Sequence, residues 1–189
     1  MKIMSLKGIL SHIKVENLDV RYIIRGIIDG SLSSLGVVIG ASGGDISIII
    51  AAGVGGGVAN GMSNILGALT AERAILEGER ASQEKVLLQN EGSLKKSSFY
   101  QMAIDKTAVS GMQDGLATAL GSIIPVMPFL FLEKNMAIMV SIAITLAILF
   151  ALGVFIGKIS KENLKISGLK MVLGGVMVAI ISFAIERFI

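Results

Sequence analysis

The sequence predicts an all-α integral membrane protein: five transmembrane helices, with a short cytosolic helical segment between helices 2 and 3. Three observations carry this expectation. The 189 residues are 53% hydrophobic, with a mean hydropathy of +0.78, which is more apolar than soluble domains of this size. The apolar stretches are long enough to cross a hydrocarbon core, which takes about 20 helical residues. The 23 glycines suit helices whose backbones approach closely in lipid.

In chain order, residues 1–21 read as a cytosolic amphipathic lead. Ile3, Leu6, Ile9, Leu10 and Ile13 follow helical spacing with lysines between them. This start lacks the long apolar core of a cleavable signal peptide, and His12 reads as a surface residue of it. Residues 22–69 hold transmembrane helices 1 and 2, about Tyr22–Gly44 and Ile46–Leu69, joined by the turn Ser42-Gly-Gly-Asp45. The glycine run from Gly53 to Gly57 lacks the Lys-Ser/Thr of a phosphate loop and reads as a packing surface.

Residues 70–106 form the cytosolic acidic helical segment. Helix 2 is expected to continue into it without a break, to end near Gly92 and Ser93, and to be followed by a polar helix over about Lys95–Lys106. Residues 107–189 hold helices 3 to 5, about Thr107–Leu132, Met136–Gly157 and Leu169–Ile185. Pro125 and Pro128 are expected to kink or unwind helix 3, Glu133-Lys-Asn135 to turn, and Lys158 to Lys170 to form a basic loop.

Of the 17 Lys and Arg, 15 fall on one side of this scheme and only Lys134 and Arg187 on the other. The positive-inside rule then places the N-terminus in the cytoplasm and the C-terminus outside. Zero Cys and a single His exclude disulfides, thiolate sites, cysteine nucleophiles and a histidine-rich metal site within one chain.

Asp29 is the residue that most needs a function. It lies inside the first apolar run, a helical turn beyond Arg25, with Gly30, Ser31, Ser33, Ser34 and Gly36 nearby. An intramembrane carboxylate is costly, and such residues usually mark an ion path. An oxygen-rich, small-residue face beside it suits a hard or borderline cation. The alternative is that Asp29 caps the helix or pairs with Arg25. Asp29-Gly-Ser-Leu-Ser-Ser-Leu-Gly36 is echoed in Asp114-Gly-Leu-Ala-Thr-Ala-Leu-Gly121, so Asp114 is a second intramembrane acid on a span of the same direction, as in a parallel repeat. In the acidic segment, Glu77, Glu84 and Glu91 recur every seven residues and would share one face of a helix. That face suits metal capture or, equally simply, solvent and ion pairs. Met62 taken alone reads as packing.

Arg21-x-x-Ile24-x-Gly26-x-x-Asp29-Gly30 followed by Leu35-Gly-Val-Val-x-Gly40 resembles the first span of the vacuolar iron transporter family. Gly61-Met62-Ser63, Leu120-Gly-Ser-Ile-Ile-Pro-Val-Met-Pro128 and Leu169-Lys-Met-Val-Leu-Gly-Gly175 resemble its second, third and last spans, in order. The resemblance implies a five-span homodimer in the lipid bilayer. It would export Fe2+, or Mn2+, from the cytosol in exchange for protons, with no permanent cofactor, no enzymatic activity and no nucleic-acid partner. It implies metal contacts at Asp29 and Met62 in the pore, at Glu72, Glu77, Glu79, Glu84 and Glu91 in the acidic segment, and at Met102 and Asp105 on the next helix. This sequence departs from the family pattern in a short acidic segment and at three positions. Ile28 replaces an Asn, Asn64, Ile65 and Leu66 stand where a Glu follows the methionine, and Asp114 replaces a small residue. With no targeting signal, a prokaryotic cell membrane is expected. The alternatives are a transporter of another divalent cation or small solute on the same scaffold, and a membrane assembly protein that transports nothing.

Overall fold

The structure is a computed structural model that describes residues 19–188. The amphipathic lead before Asp19, with His12, lies outside the described residues. Helix α1 spans Val20–Gly40, with Asp19 at its N-cap accepting from the Arg21 N–H. Helix α2 spans Ile46–Gly67 and runs through a π-helical turn, Ala68–Glu72, directly into α3, Arg73–Val86. Helix α4 spans Ser98–Val126, α5 Lys134–Ser160 and α6 Leu164–Phe188.

The expected continuation of the second span into a charged helix is present. The unbroken rod from Ile46 to Val86 has 41 residues. At 1.5 Å per residue it is about 60 Å long, roughly twice a hydrocarbon core. Its apolar half is α2, and its charged half, α3, stands beyond.

Among the described residues four helical stretches are long and apolar enough to cross a membrane: α1, the α2–α3 rod, α5 and α6. The predicted third span is a helix but is not among them. Helix α4 is too polar, because it buries Ser110, Gln113, Asp114, Thr118 and Ser122. Those groups are shielded by the helices on either side. A Cβ added at Gly26 or Gly30 of α1 would lie 2.4 Å from the Asp114 carbonyl oxygen or 2.0 Å from that of Thr118. On the other side, a Cβ at Gly61 of α2 would lie 2.4 Å from the Gly115 carbonyl oxygen, and one at Gly57 would overlap the Ser122 side chain. Absent side chains are what let three backbones meet here, and the spacing of four keeps Gly53, Gly57 and Gly61 on one face of α2. The pairings also give direction: α4 runs parallel to α1 and antiparallel to α2. The two aspartates of the sequence echo thus sit on neighbouring parallel helices.

Helices α5 and α6 form a hairpin closed at Gly153, Gly157 and Gly168, and α6 packs on α1 where Gly36 meets Val178 and Ser182. One expectation is corrected in this half and one is met. The Lys158–Lys170 stretch is mostly helix, with only Lys161 to Asn163 forming the turn, and Lys161 adopts a left-handed φ of 57°. Pro125 stays within α4, which gives way to a 3-10 turn over Met127–Leu130 with Pro128 inside it, so the regular α-helix ends there as expected.

The charged segment differs more. Helix α3 ends at Val86, not near Gly92, although the residues after it are good helix formers. Leu88 and Gly92 take left-handed backbone angles and the chain folds back. The Glu84 carboxylate accepts from the Gly92 N–H at 2.9 Å and the Leu94 N–H at 2.8 Å. Glu91 therefore lies off the helix and does not share a face with Glu77 and Glu84.

Candidate ion site in the helix bundle

Helix α1 carries Asp29 on the side that faces α2. Asn60 and Asn64, one turn apart on α2, lie on one face of that helix. Their side-chain amides both donate to Asp29 Oδ2, at 3.1 Å and 3.0 Å. The same amide nitrogens donate to Ser33 Oγ at 3.1 Å and Thr118 Oγ1 at 2.9 Å. Asp29 is half-buried, and its Oδ1 accepts no hydrogen bond from the described residues. One carboxylate, two amides and two hydroxyls thus converge where α1, α2 and α4 meet. All are oxygen-bearing groups of the kind that ligate Mn2+, Fe2+ and harder cations.

Arg25 is not the partner of Asp29. It reaches across to α4 and pairs with Asp114, Nη2 to Oδ2 at 2.5 Å and Nε to Oδ1 at 3.2 Å. The second acid of the echo is therefore paired with a cation within the chain, while the partners of Asp29 among the described residues are two uncharged amides. Tyr22 adds a ring face 5.3 Å from the Arg25 guanidinium.

The remaining predicted residues are distributed as follows. Met62 is exposed and lies two residues from Asn60 and Asn64, hence about 160° around α2 from both. One chain does not bring it to Asp29. Glu77 and Glu84 are engaged at the charged end. Glu77 accepts from the Tyr100 hydroxyl and from Arg80, and Arg80 also pairs with Glu84. Burial opposes charge on Glu84, but the Arg80 guanidinium and two backbone N–H groups outweigh it and hold the carboxyl down to about 2. The Tyr100 hydroxyl, with Arg80, likewise lowers Glu77, and burial next to Glu77 raises Tyr100. Glu72 is half-buried, and Glu79, Glu91, Met102 and Asp105 are exposed. Among the described residues no three His, Cys, Asp or Glu come together to hold a metal.

The sequence reading places Ser33 beside Asp29 but does not single out Asn60 and Asn64 as its partners, nor Thr118 behind Asn64. The available signal was a pair of Asn at positions i and i+4 inside an otherwise apolar span, where an unpartnered amide is costly.

These features define a polytopic α-helical membrane protein with a polar site between its helices. A family model described as the VIT family matches residues 95–187, which includes α4 to α6 but not α1. An uncharacterized protein of Methanocaldococcus jannaschii is 60% identical over 184 residues, spanning 97% of this chain and 96% of that protein. The chain belongs to the VIT, or vacuolar iron transporter, family.

Proposed function

We propose that this protein exports a divalent transition metal, Fe2+ or Mn2+, from the cytosol across a prokaryotic cell membrane in exchange for protons. Family membership supports metal transport. The observation that carries the reading is the state of Asp29: a half-buried carboxylate in an apolar helix, with no cationic partner and one oxygen uncommitted among the described residues. A carboxylate kept this way is costly unless a cation visits it. Metal and proton compete for the same oxygen there, which is the requirement for exchange.

In this reading α4 crosses the bilayer as a fifth span, its polar face covered by α1 and α2. The charge distribution puts α3 in the cytosol and the C-terminus outside. Glu72, Glu79, Glu91 and Asp105, with Met102, gather metal at the cytosolic mouth, while Glu77 and Glu84 hold that segment in shape. A homodimer brings the exposed Met62 faces and two copies of Asp29 to a shared path. The chemistry is translocation, not bond-making, so no enzymatic step is assigned.

The test is uptake of Mn2+ and Fe2+ by proteoliposomes under an imposed pH gradient, with a pH-sensitive dye reporting proton movement. Flux of both metal and protons is expected. No flux of any divalent metal would favour a structural membrane protein instead.

A further inference from the structure

The hydroxyl groups around Asn60 and Asn64 settle which way the two amides face. Ser33 Oγ donates its hydrogen to the Gly30 carbonyl at 3.2 Å, and Thr118 Oγ1 donates to the Asp114 carbonyl at 2.8 Å. A hydroxyl has one hydrogen. Both are therefore spent, and toward the asparagines these oxygens can only accept. Each amide must then present its NH2 end to the hydroxyl. An NH2 group has two hydrogens, and the second of each points at Asp29 Oδ2. Flipping either amide would set a carbonyl oxygen against a carboxylate oxygen and a lone pair.

The consequence falls on Asp29. A carboxylate offers about two acceptor positions per oxygen. Two N–H donors fill both positions on Oδ2, while Oδ1 accepts nothing from the described residues. A cation arriving at this site meets one oxygen, not a chelating pair.

We infer that Asn60 and Asn64 are specificity-determining positioning residues: they restrict Asp29 to monodentate coordination and so discriminate against Ca2+. Ca2+ takes six to eight oxygens at about 2.3–2.6 Å and often uses carboxylates in bidentate fashion. Fe2+ and Mn2+ accept smaller ligand sets in which a single carboxylate oxygen suffices. This inference rests on the proposed transport site at Asp29, and it names how that site chooses its ion.

The experiment measures equilibrium binding of Mn2+ and of Ca2+ to the full-length protein in detergent. Titration calorimetry gives both constants, and the EPR signal of free Mn2+ gives the competition. Asn60→Ala and Asn64→Ala each free one position on Oδ2. Each is expected to lower the Mn2+-over-Ca2+ affinity ratio by about tenfold, the scale of losing one hydrogen bond to a charged group, through stronger Ca2+ binding. Asn64→Gln, which keeps the amide, should recover part of the ratio. Ser33→Ala, which loosens Asn60 without touching the carboxylate, should move the ratio the same way by a smaller amount and serves if the alanine variants do not fold. A general structural role would weaken both ions alike. An unchanged ratio, or equal loss of both ions, in folded variants overturns the inference while leaving transport standing. Wild-type protein that binds neither Mn2+ nor, under anaerobic conditions, Fe2+ overturns both readings.

Discussion

Arg25 on α1 and Asp114 on α4 form a two-point ion pair, Nη2–Oδ2 2.5 Å and Nε–Oδ1 3.2 Å, in which the Arg25 side chain is 60% exposed and Asp114 only 1%. The asymmetry separates the two halves of the pair. Removing Arg25 strands a buried carboxylate, whereas removing the charge of Asp114 leaves an arginine that can turn outward.

Arg25→Ala is therefore expected to destabilise more than Asp114→Asn. Breaking a buried pair costs about 3–5 kcal/mol, and the exposure of Arg25 places its loss near the lower end. A carboxylate replaced by an amide that still accepts a hydrogen bond should cost about 1–2 kcal/mol. Replacing both with leucine should recover much of the loss. Thermal unfolding in detergent checks the order, and equal melting temperatures for the two single variants would contradict it.

The charged segment should have an acid limb of its own. Glu84 titrates at about 2 in the fold, below its ordinary 4.5. A carboxyl lowered in this way stabilises the fold above its unfolded value, and the contribution fades as pH falls from about 4.5 toward about 2. The Gly92 and Leu94 N–H groups that Glu84 holds should be released over that window. Protease cutting between Leu87 and Lys96 should rise as pH is lowered through it, using an acid-active protease. Glu84→Gln should cut readily at neutral pH with a flatter pH response.

The orientation has a direct check. Single cysteines at Ser42 and Asn135 should react with a membrane-impermeant reagent added outside intact cells, and one at Ser93 should not. Labelling of Ser93 from outside would reverse the assignment of the charged segment to the cytosol.

The spans were readable because length and apolarity are local properties, and α1, α2, α5 and α6 appear close to where hydropathy puts them. Helix α4 shows where that signal weakens. Its polar residues face α1 and α2 rather than lipid, so mean hydropathy understates how deeply it is buried. The end of α3 at Val86 was hidden because a tertiary contact sets it: Glu84 draws Gly92 and Leu94 back, and nothing in the residues from Leu87 to Asn90 announces a stop. At the site, Asp29 stood out by its charge alone. Its amide partners lie 31 and 35 residues away, a separation that spacing arguments do not bridge. The pairing of Arg25 with a residue 89 positions distant was equally out of reach, although the echo between Asp29 and Asp114 did give their helices the same direction.

Everything proposed for transport converges on one carboxylate, so Asp29→Asn is the most direct measurement. The substitution keeps size and one carbonyl oxygen but removes the carboxylate oxygen for which metal and proton would compete. Mn2+ uptake and internal pH are followed together in proteoliposomes with an imposed pH gradient, beside wild type and Asp114→Asn, with elution profile and melting temperature confirming that each is folded. Asp29→Asn is expected to reduce coupled metal and proton movement to the level of empty vesicles, and Asp114→Asn to retain a substantial part of it. Near wild-type exchange by Asp29→Asn, or loss of exchange in folded Asp114→Asn alone, would contradict the placement of the ion site on α1.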